Sequence, residues 1–448
     1  MSFTSLFYFP LLAVEALIFR FLPRRFRVCF LLLLSWWIYF LYGWLHFGIL
    51  VCITLCSYVV GLVLVKQQKE KVKKGIILFA VTAMTAFLFY AKKNGIVVGN
   101  KSMIPVGVSF YIFQALSYLL DSYHGGKAER SFQKYALYLG FFPQVVAGPI
   151  EQADHLIPQF DWMEATKADI SEGITYLLSG CMRKFVIADY MAQIADRIYG
   201  DVYSQGGMNL LLATFAFAIQ IYGDFSGYTH IAIGSARLFG IRLTENFDRP
   251  YLATGCRDFW KRWHITLTQW FTRYLYLPLG GNRNKYRNIM IVFLVSGLWH
   301  GTDLTFVCWG AYFGIWRIAE DLFMRKAAAW KVDRVPGQIS LWGKRMLTFS
   351  LVCLSWIFFR SRNMTEACEV FRRIFSLTGG SGTGIGIAEG IGMIGRTGLL
   401  AGLPVILRQQ ENEKKRYYRN AVLILLIVAG MLMNFRSGGD SSFIYFQF

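Results

Sequence analysis

Long apolar runs separated by short basic segments dominate the first part of the chain. The runs lie at about 6–22, 28–45, 47–65 and 76–91. Each approaches the roughly 20 residues that an α-helix needs to cross a bilayer. None of them alternates with a period of two, as barrel strands would, and a helix satisfies its own backbone hydrogen bonds in hydrocarbon. The pattern therefore predicts an all-α polytopic membrane protein.

The middle of the chain is more polar and contains helix breakers. Residues 105–126 form a predicted span whose polar side chains suit a helix interface or a wet cavity. The following segment predicts a kinked or re-entrant path, because it is interrupted by Pro143, Gly148, Pro149 and Pro158. An amphipathic layer is predicted for 160–205, with a basic turn at Arg183-Lys184, before 210–222 return to the membrane.

Further spans are predicted after residue 300. The clearest one covers 304–323, where Trp309 and Trp316 are predicted interface anchors. A basic loop at 325–345 precedes a span at 347–359, and the segment ACEVFRRIFSL is predicted to be amphipathic and interfacial. Weaker spans are predicted at 385–407 and 421–433. In total we predict ten to twelve transmembrane helices in one membrane domain over 1–448.

Composition and charge support a membrane protein rather than a nucleic-acid-binding one. Hydrophobic residues make up 55% of the chain, and the net charge of +20 comes from 47 Lys and Arg against 27 Asp and Glu. The basic residues cluster beside apolar runs, where they set topology and meet anionic lipid headgroups. Loops 23–27 and 66–74 are thus predicted to be cytoplasmic, with the N-terminus outside and its first apolar run a span rather than a cleaved signal peptide. The eight cysteines show no disulfide or metal-ligand spacing.

Ionisable groups beside apolar runs are the first candidates for function, because a charge there must be paired, hydrated or used. Asp224 and His230 are two such groups. A third is His264, in the basic aromatic segment DFWKRWHITLTQWF. We predict a helix over 257–274 that places Trp260, His264 and Thr268 on one face and lets Asp258 pair with Arg262 four residues on. The alternative is an interfacial helix whose histidine only hydrogen-bonds a neighbour.

His300 is the second candidate histidine. It ends the apolar run 289–299 and lies between Gly297 and Gly301, which permit a close approach of backbone or ligand. A desolvated neutral imidazole can accept a proton from a hydroxyl that attacks an activated acyl group. A core histidine bonded to a carbonyl is the alternative interpretation. The intervening loop PLGGNRNKYRN can bind phosphate or anionic headgroups, or it is simply a solvated basic loop.

Seven segments, taken in order, resemble one known family. They are PVGVSFYIFQALSYLLD, FFPQVVAGPI, DFSGYTHIAIGSARLFGIRLTENFDRPYLATG, DFWKRWHITLTQWF, YLYLPLGGNR, SGLWHG and FIYFQF. Together they resemble the membrane-bound O-acyltransferase (MBOAT) family, and within it the bacterial branch that O-acetylates alginate and peptidoglycan. Teichoic acid D-alanyl transfer proteins look more distant. The chain departs from the usual motif at Thr272-Arg273 and at His230, where relatives carry an acid.

The resemblance implies a ring of tilted helices around a central tunnel. It also implies that His300 is the principal catalytic histidine and His264 the second, on the cytoplasmic approach. Around them we expect five residues to contact the substrate: Trp260, Trp299, Asp258, Arg262 and Asn282. No metal and no bound cofactor are expected, and the donor is expected to be acetyl-CoA or another acyl thioester.

The expected activity is transfer of an acyl group, acetyl by preference, from a cytoplasmic thioester across the cell membrane. The expected acceptor is an exported envelope polysaccharide resembling alginate, cellulose or peptidoglycan, reached through an extracytoplasmic SGNH-like acyltransferase partner. A second hypothesis is D-alanyl transfer to teichoic acid from an acyl-carrier partner. A non-catalytic transporter or scaffold in a polysaccharide export complex is a third, although paired acids and inverted repeats are not evident in the sequence.

Overall fold

Helices provide almost all regular structure in the computed structural model, which describes residues 7–98, 101–329, 338–377, 392, 420–425 and 427–428. In the first half they are α1 (Tyr8–Phe21), α2 (Arg24–Phe40), α3 (Trp44–Lys66), α4 (Glu70–Asn94), α5 (Val108–Tyr123), α6 (Phe132–Gly140), α7 (Ala153–Leu156), α8 (Lys167–Cys181) and α9 (Asp189–Tyr199). In the second half they are α10 (Gly207–Leu238), α11 (Cys256–Arg262), α12 (Ile265–Phe271), α13 (Lys285–His300), α14 (Leu304–Ala329), α15 (Gln338–Arg360) and α16 (Met364–Ser376). A short antiparallel hairpin, β1 (Ile96–Val98) and β2 (Lys101–Met103), pairs Ile96 with Met103.

The chain divides into two compact units. The first takes the described parts of 1–180 together with Tyr228–Glu245, and the second takes Cys181–Gly227 and the described parts of 246–444. Within the first unit, α5 packs against α3 and α4, and α6 packs against α2. Nearly every residue of α5 is buried, which agrees with its polar positions serving a helix interface rather than lipid. Within the second unit, α13 and α14 form the most extensive helix pair.

Among the described residues, three helices are long and apolar enough to cross a membrane: α3, α4 and α10. Apolar side chains such as Leu55, Val59, Leu78 and Phe79 are exposed on α3 and α4, as expected of surfaces that face lipid. Helices are also present at the predicted spans on α1, α2, α14 and α15. The total of ten to twelve stays a prediction. The predicted span 385–407 and the C-terminal FIYFQF lie outside the described residues except for residue 392, as do residues 426 and 429–433 of the predicted span 421–433.

Two segments predicted as basic loops are largely helical. α2 begins at Arg24, and α4 begins at Glu70, so only residues 67–69 connect α3 to α4. Lys, Arg, Glu and Gln are good helix formers, so a helix can continue past its apolar part and carry its charges into the headgroup region. The loop predicted at 325–345 is likewise helical up to Ala329 and again from Gln338, while 330–337 lie outside the described residues.

The segment rich in proline and glycine is interrupted, as predicted. α6 ends at Gly140, and residues 142–147 form buried turns rather than a continuation of the helix. The predicted basic turn at Arg183-Lys184 is wrong, because both residues lie in a π-helical turn, Met182–Ala188, between α8 and α9. The Nζ of Lys184 is buried 2.8 Å from Asp189 and 2.7 Å from Asp224. Asp224 is therefore paired, as the sequence required.

Asp169 anchors the start of α8. Its carboxylate accepts hydrogen bonds from the Thr166 backbone at 3.2 Å and the Thr166 hydroxyl at 2.6 Å. Arg237 and Arg242 each approach its other oxygen at 3.2 Å. Burial alone would raise the pKa of Asp169, but the Thr166 hydrogen bonds and the charge of Arg242 outweigh it and lower the pKa below its ordinary value.

We predict that Asp169→Asn lowers the free energy of unfolding by about 1–3 kcal/mol, since hydrogen bonds to a charged partner are lost. The folded-state pKa is depressed, so the contribution is complete above the unfolded value of about 3.9 and is lost as pH falls through the folded value. Thermal unfolding of the purified chain in detergent at pH 7 measures the loss. Glu172→Gln is the control, because this exposed carboxylate lies 3.5 Å from Arg237 and should matter by less than about 0.5 kcal/mol. Equal losses from the two substitutions would contradict the assignment.

Candidate active site

The helix predicted over 257–274 is wrong, and the break falls at His264. α11 and α12 are separate helices of seven residues each. Between them His264 adopts the left-handed conformation, with φ 44° and ψ 56°. A second irregularity, the π-helical turn Thr272–Tyr276, follows α12. Trp260 and His264 therefore do not share one helical face, because a left-handed residue redirects the chain between them.

Backbone pairing with residues 246–248 holds the break in place. Phe247 and Trp263 form an antiparallel bridge. On one side of it the Asp248 N–H donates to the Arg262 carbonyl at 2.9 Å, and on the other the Ile265 N–H donates to the Asn246 carbonyl at 3.0 Å. A non-glycine residue in this conformation costs about 1–3 kcal/mol and persists only where its surroundings impose it. Such imposed strain marks His264 as a candidate functional residue.

The His264 ring is completely buried in an aromatic pocket. Its relative exposure is 0%, and its ring centroid lies 4.8 Å from that of Phe225 and 6.1 Å from that of Trp299. Its Nδ1 lies 3.2 Å from Oδ1 of Asn246. Burial lowers the pKa of His264 to about 3, so the ring is neutral at physiological pH.

His300 ends α13 within a wall of aromatic rings. The ring centroids of Trp299, Trp309 and Phe359 lie 4.7, 5.1 and 5.2 Å from that of His300, whose relative exposure is 4%. The Trp299 indole thus packs against both histidine rings. Trp309 is fully buried, so its predicted role as an interface anchor is wrong: α14 turns this side chain toward α13 and not toward a membrane surface.

Glycines allow α13 and α14 to approach closely beside His300. A Cβ on Gly297 would collide with the backbone oxygen of Phe306, and one on Gly310 would collide with the backbone oxygen of Phe293. A Cβ on Gly301 would meet the Phe306 ring. The predicted close approach at Gly297 and Gly301 is confirmed, and the partner in both cases is α14.

A cavity of about 630 Å³ follows one face of α13. It begins at Lys285 and runs past Ile289 and Phe293 to Ser296, one helical turn before His300. Neither histidine ring lines it. Aromatic walls come from Trp260, Phe271 and Phe293. The Nε1 of Trp260 has no hydrogen-bond partner among the described residues, and this side chain is 8% exposed.

The lining of the cavity is basic. Four cationic residues contribute to it, and no acid is among its described lining residues; the cations are Arg257, Lys261, Lys285 and Arg317. Lys285 is paired with Asp321 at 2.5 Å, and Arg317 lies 3.5 Å from Glu320. Arg257 and Lys261 are exposed and form no ion pair within the described part of the chain. The cavity therefore presents positive charge to solvent and apolar surface inside, a combination suited to a ligand with an anionic head and an uncharged arm.

The sequence-predicted substrate residues fall into three groups. Trp260 and Asn282 line the cavity, and the Asn282 Oδ1 accepts a hydrogen bond from the Tyr276 hydroxyl at 2.8 Å. Asp258 and Arg262 pair with each other at 2.8 Å, as their spacing predicted, but do not line the cavity. Trp299 lies between the histidines.

The sequence did not identify three further residues as part of the site. Trp309 packs on His300, Ser296 lines the cavity nearest to it, and Asn246 contacts His264. Ser296 precedes His300 by four residues on a helix, so the spacing alone could have identified it. Asn246 precedes His264 by 18 residues, and no local periodicity connects them.

His230 was expected to be paired or hydrated, and it has a hydrogen-bond partner. Its Nδ1 lies 3.1 Å from the Ser179 hydroxyl within the first unit, and its ring centroid lies 5.2 Å from that of Tyr176. It is therefore a partnered side chain where α8 and α10 pack together. No group of three potential metal ligands occurs among the described residues.

The described residues thus combine membrane-length helices, a strained backbone at one histidine and a basic cavity that leads toward another. Over residues 31–359 the chain matches the membrane-bound O-acyltransferase family, MBOAT, and it belongs to that family. It is accordingly an acyltransferase.

Three curated relatives illustrate the match. The protein named "Probable alginate O-acetylase AlgI" of Azotobacter vinelandii is 32% identical over 382 residues, which cover 79% of this chain and 74% of that protein. The peptidoglycan O-acetyltransferase of Helicobacter pylori is 30% identical over 393 residues, covering 78% and 74%. The teichoic acid D-alanyltransferase of Streptococcus thermophilus is 26% identical over 301 residues, covering 61% and 72%. The order of identities agrees with the resemblance drawn from the motifs.

We predict that Gly297→Ala disrupts the site, because the new methyl group must push α14 away from α13. Overpacking of this kind costs about 1–3 kcal/mol, and the displacement carries His300 away from Trp309. The midpoint temperature of thermal unfolding and the rate of acyl transfer should both fall. Gly75→Ala on α4 is the matched control, since nothing lies within 4 Å of its added Cβ and the substitution should stabilise that helix by up to about 1 kcal/mol. Unchanged stability in Gly297→Ala would contradict the close contact.

Proposed function

We propose that the protein takes an acyl group, acetyl by preference, from a cytoplasmic thioester donor and passes it across the cytoplasmic membrane for O-acylation of an exported polysaccharide. The observation that carries this proposal is the basic cavity, which runs along α13 to within one helical turn of His300. The names of the two relatives that O-acetylate alginate and peptidoglycan support a polysaccharide as the final acceptor. A separate extracytoplasmic SGNH-like acyltransferase would complete the transfer.

The cavity suits a donor that carries phosphate at one end and a thioester at the other. Arg257 and Lys261 provide unpaired positive charge at its exposed side, which suits the phosphate groups of such a donor. The aromatic walls suit an uncharged arm, and the Trp260 N–H offers a hydrogen bond to a carbonyl of that arm. Asn282 lies at the same opening and can orient the head group. Acetyl-CoA and an acylated carrier protein share this chemistry.

His300 supplies the general base in this proposal. Its neutral imidazole accepts the proton of an acceptor hydroxyl, whose oxygen attacks the thioester carbonyl carbon. The new C–O bond forms, the C–S bond breaks, and the imidazolium returns the proton to the departing thiolate. General-base assistance of this kind accounts for about 10²- to 10⁴-fold in rate. Trp299 and Trp309 pack on the His300 ring and fix its position, and His264, on the other side of Trp299, orients donor or acceptor.

D-alanyl transfer from a carrier protein is the second candidate function. The relative named as a teichoic acid D-alanyltransferase favours it, although its identity is lower. The exposed Arg257 and Lys261 would also suit the acidic surface of a carrier. The two functions differ in the acyl group and its carrier, so labelled acetyl-CoA and labelled D-alanyl carrier, supplied separately to the same membranes, distinguish them.

We predict that His300→Ala lowers acyl transfer to the polymer by at least about 100-fold, because the base is removed. The measurement is labelled acetate incorporated into the polymer in membranes that hold equal amounts of folded protein. His124→Ala, which changes an exposed histidine after α5, should leave transfer unchanged. Normal incorporation by folded His300→Ala protein would refute the assigned role.

We also predict that the double substitution Arg257→Gln and Lys261→Gln raises the KM for the acyl donor about 10-fold, which corresponds to about 1.4 kcal/mol. The effect should shrink as ionic strength rises, because exposed charges are screened. Arg283→Gln is the control, since Arg283 is exposed nearby but does not line the cavity. Equal effects from the control and the double variant would place donor binding elsewhere.

A further inference from the structure

Asn246 collects three polar groups on one buried oxygen. Its Oδ1 lies 3.2 Å from Nδ1 of His264, 3.2 Å from the backbone nitrogen of Thr266 and 3.0 Å from the Thr266 hydroxyl. Asn246 and His264 are each 0% exposed. The side chain is thus fully desolvated, and its contacts determine the chemistry of the atoms around it.

The backbone of Thr266 determines which end of the amide faces His264. A peptide N–H can only donate, so the atom that it meets must be the amide oxygen and not the amide nitrogen. The Nδ2 of Asn246 in turn has no hydrogen-bond partner among the described residues. A buried unsatisfied donor costs about 1–3 kcal/mol, so the orientation is imposed by the donors gathered at Oδ1.

This orientation selects one tautomer of His264. Because Oδ1 can only accept, the Nδ1 that faces it must carry the proton. In a neutral imidazole the other nitrogen, Nε2, is then deprotonated and serves as an acceptor. The same asparagine holds the histidine backbone, since its carbonyl accepts the Ile265 N–H at 3.0 Å. One residue therefore controls both the left-handed turn and the protonation pattern of the ring.

We propose that Asn246 is a positioning residue for acyl transfer: it fixes His264 in the Nδ1–H tautomer and so makes Nε2 a hydrogen-bond acceptor for the donor or the acceptor hydroxyl. This proposal rests on the proposed acyltransferase site. It specifies what His264 does there, namely accept a hydrogen from a reactant rather than donate one to it. A mispositioned tautomer would offer an N–H to the same reactant group.

The test combines a spectroscopic readout with kinetics. Nitrogen-15 NMR of histidine-labelled full-length protein in lipid nanodiscs reports the tautomer, and His264→Gln identifies the His264 signals by their loss. We expect Nδ1–H in the unmodified protein and a mixture of tautomers in Asn246→Ala. With acetyl-CoA as the donor probe, Asn246→Ala should lower kcat about 10- to 100-fold, because misplacing a group that orients a reactant can cost about 100-fold in rate, while the KM for acetyl-CoA changes less than about 3-fold.

Two variants separate positioning from a structural role. Asn246→Asp keeps an oxygen acceptor at the same place and should retain the Nδ1–H tautomer and recover part of kcat. Thr266→Val removes a neighbouring hydrogen bond to the same oxygen but leaves the contact to His264, so tautomer and kcat should be unchanged. Equal losses in Thr266→Val and Asn246→Ala would overturn the proposal in favour of simple structural support.

Two other results would also overturn it. One is an Nε2–H tautomer in the unmodified protein, and the other is a kcat for folded Asn246→Ala equal to that of the unmodified chain. The tautomer measurement needs no turnover, so it stands even if membranes containing the unmodified chain transfer no acetyl group. Absence of transfer in those membranes would instead refute the proposed acetyl-transfer function.

Discussion

The close contact between α13 and α14 is the constraint on which the candidate site depends. Glycine at positions 297 and 310 lets each helix meet the backbone of the other, and this proximity brings Trp309 against His300. The opposite end of α13 starts at Lys285 in the cavity lining, and the cavity reaches Ser296. One helix therefore links the basic cavity to a buried imidazole, and packing rather than intrinsic propensity stabilises it.

Backbone strain at His264 is the second organising feature, and it arises from tertiary pairing. Residues 256–271 have the apolar spacing of a continuous helix, yet the chain turns left-handed at His264. Two backbone hydrogen bonds to residues 246–248 offset the cost. The result places His264 against Trp299, the residue next to His300. The Trp299 indole thus packs near both histidines, which are 36 positions apart in the chain.

The charged side chains of the second unit fall into two groups: some are held in ion pairs, and others are exposed at the cavity. Lys184 is buried with Asp189 and Asp224, and a buried charge without such partners would be strongly unfavourable. Lys285 and Arg317 are likewise held near Asp321 and Glu320. Arg257 and Lys261 remain exposed at the cavity. Among the basic residues that line the cavity, these two are therefore the ones without an ion pair in the described part of the chain.

The sequence by itself determined the class of the protein, most helix positions, the Asp258–Arg262 pair and the glycine contacts beside His300. These features depend on local periodicity, composition and motif order, which are written along the chain. The break at His264, the burial of Trp309 and Lys184, and the contact of Asn246 with His264 were decided only by the tertiary structure. These four features have the same physical cause. Each depends on partners that are close in space but distant in sequence, and local patterns carry no information about such partners.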